Sequence, residues 1–72
     1  MHAYSYAVQN DLATPVEVTL DCSASKNMLF STQNAYVKKR VEPKSMQFML
    51  HAEAMPMADN FMRAAKCMWT AL

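Results

Sequence analysis

The sequence predicts a small all-β domain, an antiparallel sandwich or barrel of about five strands, and three observations carry that expectation. The run Val16–Cys22, "VEVTLDC", alternates strictly, with Val16, Val18, Leu20 and Cys22 on one face and Glu17, Thr19 and Asp21 on the other. Further apolar or alternating stretches recur along the chain, separated by clusters of Asn, Asp, Ser and Pro that favour turns. The third is length. Seventy-two residues make one domain, 1–72, with a single core.

Taken in order, residues 3–9, "AYSYAVQ", place Tyr4, Tyr6 and Val8 on one face of a first strand. Pro15 restricts Thr14 to extended conformations and stands at the threshold of the second strand, 16–22. "SASKN" breaks the alternation with residues that hydrogen-bond their own backbone. A short strand follows at 28–31, then a turn at 32–35. Residues 36–42, "YVKKRVE", put Val37 and Val41 opposite Tyr36, Lys38 and Arg40, the pattern of an edge strand whose lysines discourage unwanted pairing. Residues 46–55 alternate again. Met46, Phe48, Leu50, Ala52 and Ala54 are expected inside, with Gln47, Met49, His51, Glu53 and Met55 outside. The last segment, "ADNFMRAAKCMWTAL", fits two periods. As a helix capped by Asp59 or Asn60, it gathers Phe61, Ala65, Met68, Trp69 and Leu72. As a strand, Phe61, Ala65, Cys67 and Trp69 alternate with Met62, Lys66 and Met68. The chain has no glycine, so Asn10–Asp11, Asn27 and Asn34 are the candidates for positive φ.

Composition narrows the function. Seven basic against six acidic residues give a formal charge of +1, which argues against nucleic-acid or anionic-membrane binding driven by bulk charge. No apolar run approaches the roughly 20 residues of a membrane span. The start, "MHAYSYAVQND", lacks the basic and apolar blocks of a secretory signal, so an intracellular location, cytoplasmic by default and compatible with an organellar complex such as a mitochondrial one, is expected. So small a domain offers no cleft for a small-molecule substrate. It buries only about 60% of its unfolded surface and is marginal alone, which favours oligomerisation or a partner.

The candidate chemical groups are few. Cys22 ends an apolar strand face beside Asp21, whose charge disfavours a thiolate, so it reads as core and no catalytic residue is assigned. Cys22, His51 and Cys67 lack the paired spacing of a zinc site, and without a signal peptide the two cysteines are expected to stay reduced. Met49, His51, Met55 and Met57 are soft ligands and invite a Cu(I)-handling reading as a lesser alternative, while no cofactor or metal is assigned. The eight methionines, six of them in the second half, more simply mark an adaptable contact surface. Tyr4, Tyr6, Met49, His51, Met55, Met57 and Trp69 are therefore the candidate partner-binding residues, because aromatics and Met are enriched at interfaces.

A strand ending in Asp21–Cys22, a spacer with Ser25 and Asn27, then Ser31–Thr32, then Val41, Pro43 and Gln47, resembles the C-terminal domain of the small-optic-lobes class of calpains over residues 8–55. That domain is a non-catalytic β-rich appendage of a cysteine protease. The resemblance implies a structural position for Cys22, and the sequence surrounding the family's catalytic cysteine is absent here. The missing glycines and the methionine load depart from the family, and the resemblance is drawn over residues 8–55 only. The implied role is an accessory subunit or adaptor of a multiprotein complex, non-enzymatic, with protein subunits as partners. The alternative is a regulatory module that binds a peptide or protein in trans.

Overall fold

The computed structural model describes residues 2–32, 34–57 and 60–72. Asp59, one of the two helix-capping candidates, and Gln33, in the expected turn at 32–35, lie outside the described residues. Among the described residues six strands form: β1 (Ala3–Asn10), β2 (Val16–Asp21), β3 (Met28–Phe30), β4 (Tyr36–Val41), β5 (Ser45–Ala54) and β6 (Lys66–Ala71). They build two three-stranded antiparallel sheets, ordered β1-β5-β3 and β4-β2-β6, that face each other as a small sandwich. Within the ambiguous last segment, Lys66–Ala71 is thus a strand, while Phe61 and Ala65 lie outside it. No helix among the described residues is long and apolar enough to cross a membrane.

β2 is the centre of its sheet and behaves as its alternation dictates. Val16, Val18, Leu20 and Cys22 are buried, and Cys22 is 1% exposed. Opposite them lie Met28, Met49, Leu50 and Ala52 of the other sheet, with Val41 from β4 and Tyr4, Tyr6, Val8 and Phe30 packed around the rim. Burying one such aliphatic side chain is worth about 1.5–3 kcal/mol, so this cluster holds most of the fold's stability.

β5 departs from simple alternation. Its register against β1 shifts between Tyr6 and Ala7: Tyr6 pairs with Leu50 and Ala7 with Phe48, so Met49 is the extra residue of a β-bulge. A one-residue insertion exchanges the faces of everything before it. Met49 and Leu50 therefore both point inward, at 1% and 0% exposure, while Met46 and Phe48 stand exposed instead of buried. Met49 is a core residue and is not available to a partner.

Among the described residues, two non-glycine residues take positive φ, Asn27 (58°) and Lys44 (56°). Asn27 is the kind of residue expected there. Lys44 occupies the tight β4–β5 connection, where no glycine exists to take the position. Asn10 does not need positive φ. Its side chain makes the turn instead, with Oδ1 accepting the Leu12 N–H at 2.9 Å while Nδ2 donates to the carbonyls of Thr14, Val41 and Glu42 at 2.9, 3.1 and 3.2 Å. This buried amide ties the end of β1 in one sheet to the end of β4 in the other.

The molecule measures 44 × 18 × 17 Å with a radius of gyration of 13.4 Å, against about 11 Å for a compact chain of this length. The difference lies in the elongation along one axis.

Candidate functional site

All six residues of β6 are exposed. The strand pairs antiparallel with β2, Val18 opposite Trp69 and Leu20 opposite Cys67, so Cys67, Trp69 and Ala71 share the face that β2 turns toward the core. Among the described residues, no strand of the other sheet covers them. β1 ends its sheet on the same side, and between the two edges runs a groove of about 250 Å³ walled by Val8, Leu12, Val16, Val18, Cys67 and Trp69. Trp69 is 61% exposed within it.

The four sheet edges are unlike one another. β4 carries Lys38, Lys39 and Arg40, and β3 is three residues long, both recognised ways of blunting an edge. β1 has eight residues without a charge, and β6 has one charge, Lys66, at its start. The two unguarded edges are the two that flank the groove. This open seam is the feature that sequence reading missed, since it depends on which strand fails to be covered. Trp69 was legible as a contact candidate, whereas Leu12 and Cys67 were not.

The remaining candidates scatter. Tyr4 and Tyr6 are half-buried against the core, with the Arg63 guanidinium 4.2 Å over the Tyr4 ring. Met55 and Met57 follow the end of β5, Met57 almost fully exposed at 94%. His51 lies on the outer face of β5, where its Nδ1 meets Ser5 Oγ at 3.0 Å and its Nε2 meets Glu53 Oε1 at 3.2 Å. A hydroxyl, an imidazole and a carboxylate in line resemble the wiring of a serine nucleophile. Here, however, the chain lies across a solvated sheet surface away from the groove, without the preorganised, water-excluding surroundings that make such wiring reactive. Cross-strand pairing of Ser5 with His51 accounts for it. The bulge also separates Met49 from His51, so the soft-ligand set of Met49, His51, Met55 and Met57 is not assembled on one face. No cluster of three His, Cys, Asp or Glu suited to a metal occurs among the described residues.

Both cysteines are free thiols, Cys22 buried and Cys67 exposed. Burial pushes the Cys22 thiol above its ordinary pKa and the Asp21 carboxylate adds to the effect, both disfavouring thiolate. Asp21 itself is held below the usual carboxylate range by hydrogen bonds from Ser23, its side chain first and its amide second. With iodoacetamide at pH 8 we expect prompt modification of Cys67 alone, Cys22 reacting only after denaturant is added. Mass spectrometry of the native protein showing both thiols labelled together would contradict the core position of Cys22.

The basic run is internally occupied. Lys38 pairs with Glu17 at 3.3 Å, Arg40 with Glu42 at 2.6 Å, and Lys39 donates to the Phe48 carbonyl at 3.0 Å. No family model matches the chain, and neither curated proteins nor solved structures give a significant match.

Proposed function

We propose that the chain is a non-catalytic β-sandwich module that serves as an accessory or adaptor subunit of a multiprotein assembly, held through its open seam. The observation that carries this reading is Trp69, a large aromatic exposed on an unguarded strand edge beside an apolar groove. Exposed aromatic anchors next to pockets are the usual hot spots of protein recognition, and free strand edges bind extended segments by adding a strand. The resemblance to the calpain appendage domain is in keeping with a role without proteolysis. The same groove and edges also suit a regulatory module that takes a partner's peptide in trans. The two roles differ in permanence.

Tagged protein expressed in its native cells should co-purify a partner at fixed stoichiometry, and Trp69→Ser should reduce that recovery at least about tenfold, as losing a hot-spot aromatic does. Recovery that varies with wash conditions would favour the peptide-binding role. Recovery indifferent to Trp69→Ser would remove the seam from the account.

A further inference from the structure

We infer that the strand filling the seam is β6 of a second copy of this chain, paired antiparallel about a two-fold axis at Trp69. This deepens the reading of the seam as a protein-binding site and rests on it.

The backbone sets the phase. The Leu72 N–H donates to the Pro15 carbonyl at 2.9 Å, and because Pro15 has no N–H to return, the Thr14 hydroxyl donates to the Leu72 carbonyl at 2.8 Å. Hydrogen-bonding direction alternates along an antiparallel strand, so Thr70, Met68 and Lys66 also turn toward β2. The N–H and C=O groups of Cys67, Trp69 and Ala71 are left facing the free edge. A two-fold axis at Trp69 brings Trp69 opposite Trp69 of the second copy and Cys67 opposite its Ala71, so all three residues with free groups meet residues with free groups. The ladder is therefore in phase over the whole strand, and the sheet continues as β4-β2-β6 followed by the same three strands in reverse.

The side chains agree with that register. Cys67, Trp69 and Ala71 remain on the groove face in both copies, and the two indoles meet where the two grooves meet, covering apolar surface that neither copy covers alone. Met68 falls opposite Thr70 on the other face. Lys66 falls opposite Leu72, so the only charge in β6 avoids its own copy. It approaches the end of the partner's groove that carries Asp11, whose carboxylate otherwise accepts only the Gln9 amide among the described residues. Pairing of a patch with itself is the isologous contact of the commonest oligomers.

Light scattering or sedimentation equilibrium should give twice the 8.2 kDa chain mass. Trp69→Lys sets two charges against each other at the axis, and Ala71→Pro deletes an edge-facing N–H while leaving the β2 ladder intact. Each should raise the dimer dissociation constant at least about tenfold with the far-ultraviolet circular dichroism retained. Should either variant lose its fold, hydrogen exchange on the unaltered chain decides. The amides of Cys67, Trp69 and Ala71 should become protected as concentration rises, and protection independent of concentration would overturn the inference. So would a chain that stays monomeric at roughly 100 μM, a level at which even a weak dimer forms, or a dimer indifferent to both variants. If the chain is monomeric while capture of another protein still depends on Trp69, the second copy is wrong and the seam is not. If capture is also indifferent to Trp69, the seam fails as well.

Discussion

Met49→Ser should lower the midpoint of thermal unfolding by about 12–30 °C, whereas Met55→Ser, six residues further on, should leave it nearly unchanged. The difference comes from the bulge. Met49 is the extra residue between Phe48 and Leu50 and sits inside the sandwich. Replacing a buried Met by a small residue costs about 2–5 kcal/mol in lost transfer energy and residual cavity, and a serine hydroxyl there adds a polar group in need of a partner. A domain of this length has about 4–11 kcal/mol of total stability at the usual 0.05–0.15 kcal/mol per residue, so the loss is a large share of it. Converted at the roughly 4–8 °C per kcal/mol typical of small domains, a loss of about 3–4 kcal/mol gives the stated shift. Met55 lies beyond the strand and is exposed, where substitutions stay within about 0.5 kcal/mol. Scanning calorimetry of both variants at one protein concentration makes the comparison. Equal, small shifts would mean that Met49 faces solvent and that β5 runs without a bulge.

This contrast also locates what the amino-acid order reveals and what it hides. β2 was legible because its strict alternation over Val16–Cys22 coincides with a strand flanked on both edges and covered on one face, so pattern and burial agree. β4 was legible as an edge because Lys39 interrupts its apolar face between Val37 and Val41 while Lys38 and Arg40 charge the opposite one. The same reasoning fails in β5. The alternating pattern of residues 46–54 is real, yet an inserted residue reverses the faces of Met46 and Phe48, and bulges follow from pairing with β1, which no local pattern encodes. The last segment illustrates a third case. Its composition suits either period, and its Lys66–Ala71 stretch becomes a strand because β2 offers it an edge from Val16 to Asp21. The seam follows from that same pairing. Trp69 attracts notice in any reading, but its exposure arises only because β6 extends one sheet past the strand that would have covered it. Cys22 needed no tertiary knowledge, since an apolar strand face already placed the thiol inside.

Asn10→Ala should destabilise the fold by about 2–3 kcal/mol although it removes no apolar contact of consequence. Asn10 is the sole buried polar residue among the described ones, and its amide reaches three carbonyls, of Thr14 in the β1–β2 loop and of Val41 and Glu42 at the end of β4, while accepting the Leu12 N–H. Alanine leaves these groups without partners, and each unsatisfied buried group costs about 1–3 kcal/mol, moderated where the groove admits water. Asn10→Asp separates this account from one of shape alone. Aspartate is nearly isosteric but, when ionised, has no hydrogen to offer Thr14, Val41 and Glu42, and it sets a negative charge against three carbonyl dipoles. Its folded pKa must then rise above the ordinary carboxylate value, so the variant's stability is greatest below about pH 4 and falls as pH rises through the folded pKa. The unaltered chain has no such group at this position. Subtracting its unfolding free energy from that of Asn10→Asp at each pH, by urea titration followed with circular dichroism between about pH 3 and 7, should therefore give a deficit that grows with pH and levels off. A deficit that is flat, or an Asn10→Ala variant as stable as the parent, would show that the sheets are joined at this corner by packing and not by the amide.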